Sequence, residues 1–417
     1  MKPETVGMSS ARLARLEEVM KRRYVDGGYL PGMLTYVWRK GQLVHTGMCG
    51  HMDIERGKPM REDAIFRIYS MTKPITAVAL MMLVEEGLIG LDDTVHSHIP
   101  QWKNLGVYAS GMPSLLTDAP PSFITTPTLR PMKVVHLLTH TSGLTYGFMM
   151  RSAVDAAYRK AKITDRQTPG GLAEMIDQLE QIPLDFSPGN GLELLGVGRR
   201  AGLPRGKTVR HELRRVPAHA AVRAARHEGH RVLGAAGQDR ALHLLLSARD
   251  PRKRAEIAGR RAGEHLRDTA PARIGRGGLV STTQDYLRFC RMMLNGGTLD
   301  GVQILSPKTV ALFGLNYLPD GREIADMALP GMFSESGYAG VGFSLGCGVN
   351  VNVAKTSLPG SLGEYFWGGA AATAFWIDPK EELTVVFMTQ VIGSPARLTL
   401  RRDLRTLVYS AMTESFA

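Results

Sequence analysis

Strand-like and helix-like segments are distributed unevenly along this chain, and the distribution limits the folds open to it. Near the N-terminus a helix pattern over Ser10 to Tyr24 leads into a hairpin. Its strands are Gly32 to Trp38 and Leu43 to Met48, with Lys40-Gly41 as the turn. Further strand-like runs follow only near the C-terminus: Gly340 to Val351, Tyr365 to Ile377 and Leu383 to Thr389. The last two read as antiparallel neighbours joined at Asp378-Pro379-Lys380, and a helix from Pro395 to Met412 covers them. Helical patterns fill the interval: Phe66 to Gly87, Val134 to Leu138, two amphipathic helices within 148–182, Ser281 to Asn295 and Ser306 to Phe313. This order predicts an α+β fold, in which an antiparallel sheet formed from both chain ends is flanked by helices and a mainly helical domain is inserted in the middle. The expected division is 1–65 with 277–417 for the sheet-containing part and 66–189 for the helical part.

At 417 residues and 44% hydrophobic content the chain can bury one large core or two ordinary ones. It has no run of 18 apolar residues, and Met1 to Tyr24 has no signal-peptide apolar core, so no membrane partner is expected. Three scattered cysteines, Cys49, Cys290 and Cys347, favour a reduced, cytoplasmic setting. They argue against a disulfide framework and a thiolate zinc site, and neither a metal nor a cofactor is expected.

The net charge of +12 invites a nucleic-acid reading, but its distribution opposes one. Residues 199–276 hold 18 Arg and 2 Lys against 7 acids, so the rest of the chain is close to neutral. The surrounding segment is anomalous in other ways. No Phe, Tyr or Trp lies between Phe186 and Tyr286, where an aromatic content of 7% would supply about seven. Met is absent from Ile176 to Arg291 in a chain that has 21. The plain reading of 190–276 is a basic insert without a folding pattern.

Ser70-Met71-Thr72-Lys73 opens the apolar run from Pro74 to Val84. On a helix, residues three apart share a face, which sets the Ser70 hydroxyl beside the Lys73 amine. A serine hydroxyl needs an adjacent base to become a nucleophile, and a lysine serves if burial favours its neutral form. The spacing alone should occur by chance roughly once in a chain of this length, so its setting carries the argument.

That setting includes Leu137-Leu138-Thr139-His140-Thr141-Ser142-Gly143 about 65 residues on, and Trp367-Gly368-Gly369 ahead of Phe375-Trp376-Ile377-Asp378-Pro379. Together these resemble the serine β-lactamase-like superfamily, and more narrowly the family VIII carboxylesterases, relatives of class C β-lactamases and D,D-peptidases. Residues 1–189 and 277–417, about four fifths of the chain, carry the resemblance. It implies a β-lactamase/transpeptidase-like fold and a serine hydrolase that cleaves short-chain carboxylic esters through an acyl-enzyme. Ser70 is then the nucleophile and Lys73 the base. The backbone amides of Ser70 and Ala370 match the oxyanion donors, and Trp367, Gly368 and Gly369 line the substrate. Two alternatives stand beside it: a β-lactamase or D,D-peptidase, disfavoured because Trp367 replaces a cationic lysine, and a non-catalytic protein whose basic segment holds an anionic partner.

The resemblance also implies a Tyr-Ser or Tyr-x-Asn motif soon after Phe186-Ser187-Pro188-Gly189, where this chain reads Leu192-Glu193-Leu194-Leu195-Gly196-Val197. Codons CTG GAA CTA CTC GGT GTC encode those six residues. Read one nucleotide later they give Trp-Asn-Tyr-Ser-Val, which the family would place here. Residues 206–217 permit Gly-Lys-Leu-Ser-Gly-Met-Ser-Phe-Asp-Glu-Phe-Leu in the same shifted frame. Residues 224–233 permit Pro-Leu-Gly-Met-Lys-Asp-Thr-Gly-Phe. A frameshifted translation from about 190 to about 275 is therefore expected. Leu194 and Leu195 stand where the tyrosine belongs, so the chain as written should be impaired.

Other motifs carry less. Gly342-Phe343-Ser344-Leu345-Gly346 fits a nucleophile elbow, but no histidine follows His265 to complete a triad, and Ser344 reads as a strand residue. His227-Glu228-Gly229-His230 is one residue short of a zincin helix. His140 reads as a loop hydrogen-bonding group, and Met71, Met81 and Met82 as core. Nothing in the sequence brings the phenol of Tyr69 or Tyr146 to the serine.

Overall fold

The computed structural model describes residues 2–111, 122–163, 171–193, 278–329, 338–394 and 396–416. The basic segment and the His227–His230 motif lie outside them.

Among the described residues the largest sheet has eight strands. In chain order they are β1 (Gly32–Arg39), β2 (Gln42–Asp53), β3 (Lys58–Pro59), β4 (Val341–Phe343), β5 (Gly348–Asn350), β6 (Tyr365–Gly368), β7 (Ala374–Asp378) and β8 (Leu383–Met388). In space they run β4-β5-β6-β7-β8-β1-β2-β3, all antiparallel. The two chain ends meet where β1 pairs with β8, Leu34 opposite Met388 and Arg39 opposite Leu383.

Period-two alternation divides the strand residues between two cores. Leu34 and Tyr36 of β1, Phe375 and Ile377 of β7, and Val386 and Met388 of β8 face one side. There they pack under α2 (Thr72–Glu85) and α4 (Thr283–Leu294), the latter reached after α3 (Val134–Leu138). Met33 and Val37, Ala374 and Trp376, and Val385 and Phe387 face the other side, under α1 (Ser10–Met20) and α5 (Arg397–Ser410). Both faces are covered, so the central strands are apolar throughout. A third core, around Trp102, Leu137, Val154, Tyr158 and Leu179, belongs to the helical part.

Local chemistry sets the helix starts. Ser9 caps α1 by accepting from the Arg12 amide, and Thr282 caps α4 by accepting from the Asp285 amide. Arg39 closes the sheet where the termini meet. It is fully buried, donates to Glu381 Oε2 at 2.7 Å and to the carbonyls of Gly7 and Glu414, and packs under Phe416. A buried charge of this kind is tolerated only when paired and hydrogen-bonded.

Several sequence expectations need correction. The run Gly340 to Val351 is a hairpin, β4 and β5, not one strand, and Ser344 sits in its connecting loop. Its amide donates to Cys347 O and its hydroxyl to Leu312 O. The run Tyr365 to Ile377 is likewise two strands, β6 and β7, joined by a tight loop at 369–373. Both turns lie mostly inside the protein and are largely apolar, so no polar break marks them. The first helix spans the expected Ser10 to Tyr24, winding as an α-helix to Met20 and as a wider π-helix over Lys21–Val25. Phe66–Arg67 is a short strand paired with Val280–Ser281 rather than the start of the next helix. No helix among the described residues is long and apolar enough to cross a membrane.

Candidate active site

The site grows from the junction between Phe66–Arg67 and α2. A tight turn over Tyr69–Met71 leads into the helix, with Tyr69 in the left-handed region at φ 44°. A non-glycine residue held there signals a constrained backbone. Pro74 falls in the first turn of α2, where its missing N–H costs no intrahelical bond. Lys73 Nζ lies 2.9 Å from Ser70 Oγ, and Lys73 is 5% exposed.

A distant segment clamps this turn. The Ile68 amide donates to Leu279 O, the Leu279 amide to Thr72 Oγ1 at 2.8 Å, and the Tyr286 hydroxyl to Met71 O at 2.9 Å. A Cβ at Gly278 would lie 2.6 Å from Thr72 Oγ1 and 2.7 Å from Tyr69 O, so only glycine permits this approach. Sequence reasoning missed Gly278, Thr72 and Tyr286 as supports of the serine. Nothing local to them signals the contact.

The loop after α3 supplies the next wall. His140 is buried with φ 62°, and its Nδ1 lies 2.6 Å from Glu193 O. A carbonyl only accepts, so Nδ1 carries the proton and Nε2 keeps its lone pair. Burial, with the nearby Lys73 charge adding to it, lowers the His140 pKa well below the ordinary value and keeps the ring neutral. The ring stands edge-on to Phe343 at 5.0 Å, and Phe343 stands edge-on to Trp367 at 5.1 Å. Trp367 is therefore a packed residue, 6% exposed.

Segment 185–193 runs along this loop. The amides of Asp185, Gly189 and Glu193 donate to the carbonyls of Gly143, Thr141 and His140. Buried Glu193 pairs with Arg151, which also holds Asp185 at 2.5 Å. Burial pushes the Glu193 carboxyl up to about 7, with Arg151 opposing. Glu193 Oε1 and Arg151 Nη1 are buried with no hydrogen-bond partner among the described residues. Position 194, where a tyrosine is expected, lies just outside the described residues. Its neighbour Glu193 is hydrogen-bonded to His140 through both its amide and its carbonyl.

The end of β6 approaches from the sheet. A Cβ at Gly369 would lie 2.6 Å from Ile68 O and 2.3 Å from Thr373 Oγ1. The Gly369 amide donates to Thr373 O, and Ala370 follows in the same turn. The structure thus brings together Ser70 and Lys73, and sets the loop holding Gly369 and Ala370 against the backbone two residues ahead of the serine. Tyr146 is buried and stacks on Phe148 at 4.5 Å.

Comparison with known proteins gives the family and the fold. The sequence profile of the Beta-lactamase family matches residues 17–193 and 204–410. The chain is 32% identical over 414 residues to Protein Rv1367c of Mycobacterium tuberculosis, covering 91% of this chain and 94% of that one. It is 32% identical over 212 residues to Esterase EstB of Burkholderia gladioli, covering 48% of this chain and 49% of that protein. The fold is similar to that of EstCE1, a hydrolase with promiscuous acyltransferase activity, with a TM-score of 0.64 at 22% identity over 96% and 99% of the two chains. With the motifs, the two-faced sheet and the profile match in agreement, this chain belongs to the beta-lactamase family and has its β-lactamase/transpeptidase-like fold.

Proposed function

We propose that the site is that of a serine carboxylesterase for short-chain esters, working through an acyl-enzyme. The observation that carries the reading is the 2.9 Å approach of Lys73 Nζ to Ser70 Oγ at the start of a buried helix. In its neutral form Lys73 takes the hydroxyl proton as Oγ attacks the ester carbonyl. The amides of Ser70 and Ala370 hold the oxyanion. Collapse of the tetrahedral intermediate expels the alcohol, which takes the proton that Lys73 accepted. Water then attacks the acyl-enzyme, giving its proton to Lys73, which returns it to Ser70 Oγ as the acid leaves. Trp367 at the position of a cationic lysine favours a neutral ester over a β-lactam carboxylate. The similarity to EstB points the same way.

In this reading the chain as written is impaired, because Leu194 and Leu195 move no proton and the shifted frame supplies the tyrosine. One observation supports a frameshift: the shifted frame reads Asn at 193, a neutral side chain where one guanidinium already serves Asp185. The family profile resumes at 204, inside the segment, and does not mark its bounds. The proposed division is 1–65 with 277–417, 66–189, and a frameshifted 190–276. Sequencing the gene across codons 185–280 tests it: an unbroken frame at both ends would sink it. Hydrolysis of p-nitrophenyl butyrate tests the chemistry. The chain restored to the shifted frame should turn over, and Ser70→Ala should abolish it. Full turnover by the chain as written would overturn the impairment, and turnover surviving Ser70→Ala would overturn the nucleophile.

A further inference from the structure

Arg401, on α5 at the far side of the sheet from Ser70's helix, reaches the loop that joins β6 to β7. Its Nη2 donates to Gly369 O at 3.1 Å and to Thr373 O at 3.0 Å, the two ends of that loop. Gly368 makes room for it: a Cβ there would lie 2.1 Å from Arg401 Nη2. The loop is held from inside by the Gly369 amide, which donates to Thr373 O at 2.9 Å and Thr373 Oγ1 at 3.1 Å. Val391 N donates to Ala371 O, a third tie. Ala372 sits at φ 67°, a conformation a non-glycine residue keeps only when its surroundings enforce it.

The carbonyl of Gly369 and the amide of Ala370 belong to one peptide plane. In a trans peptide the C=O and N–H point in opposite directions, so fixing the first aims the second. A charged donor on the carbonyl also polarises the amide and makes it a stronger donor. We infer that Arg401 is a positioning residue for the oxyanion hole, acting through the Gly369–Ala370 peptide to aim and polarise the Ala370 N–H. The inference rests on the esterase reading above. It explains why a guanidinium is placed against the rear of this loop, and why two glycines precede Ala370. Both bonds leave one nitrogen, and the planar guanidinium fixes the directions of that nitrogen's two N–H groups, whereas a lysine ammonium would rotate freely.

The test is acylation of Ser70 by p-nitrophenyl butyrate and by a p-nitrophenyl phosphonate, followed by nitrophenol release and intact mass, in the full chain with the shifted frame restored. Arg401→Met should lower the acylation rate about 10- to 100-fold while leaving the half-saturating ester concentration unchanged, because the oxyanion exists only past the ground state. Arg401→Lys should recover part of the loss, and added ethylguanidinium should partly rescue Arg401→Gly. A second readout does not depend on reactivity. With Gly labelled at the carbonyl carbon and Ala at the nitrogen, 369–370 is the one Gly-Ala pair in the sequence outside 190–276, and Ala370→Ser identifies its signal by loss. The 369–370 amide signal should move in Arg401→Met. Equal acylation of the parent and Arg401→Met, or an unmoved 369–370 signal, would overturn the inference alone. Absence of acylation in every variant including the parent would overturn the Ser70 reading and the catalytic meaning of Arg401 with it.

Discussion

Two buried polar clusters lie within reach of α2, and they differ in how well their parts are matched. Around Ser70, each polar group named above has a counterpart. Lys73 meets the serine, Tyr286 meets the Met71 carbonyl, Thr72 meets the Leu279 amide, and Gly278 leaves the space they need. Around Glu193, two carboxylates share one guanidinium, and Glu193 Oε1 and Arg151 Nη1 have no partner among the described residues. The first cluster has the mutual satisfaction expected of buried polar networks. The second has one charge too many, and it lies at the edge of the segment whose composition departs from the rest of the chain. A buried polar group left without a partner costs free energy and calls for an explanation, and the frameshift proposed above would supply one for Glu193.

The largest expected effect would remove that mismatch. Restoring the shifted frame over 190–275 should raise ester turnover about 10²- to 10⁴-fold, the range of a general acid–base contribution. Equal turnover of both chains would remove the contrast between the clusters. Next, Gly369→Ala should lower turnover of the restored chain about 100-fold, because its Cβ meets the backbone oxygen of Ile68 at 2.6 Å. Gly368→Ala should cost a similar factor, since its Cβ meets the Thr373 backbone oxygen at 2.7 Å as well as the end of Arg401. Unchanged turnover in either variant would break the account of the loop.

Stability should report Glu193 directly. Its carboxyl is held near 7 against an ordinary 4.5. Between these values the folded chain keeps a proton that the unfolded chain releases, so stability falls as pH rises from about 5 to about 8. Glu193→Gln in the chain as written should shrink this fall and raise the melting temperature at pH 8 by about 2–4 °C. An unchanged pH slope would mean that the carboxyl is not strained by burial. The smallest effect concerns the matched cluster. Tyr286→Phe leaves Met71 O without its donor and should cost about 1–2 kcal/mol in chemical denaturation, with the pH dependence unaltered.

Much of the fold was legible because its elements announce themselves locally. Strand-like runs bounded by turn residues marked β1, β2 and β8, and the apolar run after Lys73 marked α2. The two hairpins β4–β5 and β6–β7 were read as single strands. Their turns, 344–347 and 369–373, lie mostly inside the protein and are largely apolar, with Leu345, Cys347 and Ala370-Ala371-Ala372, and Ser344 and Thr373 as their polar members. Turn chemistry is a surface signal, and a turn inside a protein lacks it. Of the site, the Ser70–Lys73 pair was legible because both partners lie on one turn of backbone. Arg401 was not, because its partners Gly369 and Thr373 are main-chain oxygens some thirty residues away, which any sequence supplies.

By itself the sequence determined the α+β order of elements, the pairing of Ser70 with Lys73, and the break in composition after residue 190. Each of these depends on neighbours along the chain or on counts. Only the tertiary structure decided which segment clamps the serine turn, that His140 is a neutral ring bound to Glu193 O, and that Arg401 grips the loop carrying Ala370. Those depend on contacts closed between residues 32 to 207 positions apart, where burial and the aim of a single hydrogen bond, not residue type, set what a group can do.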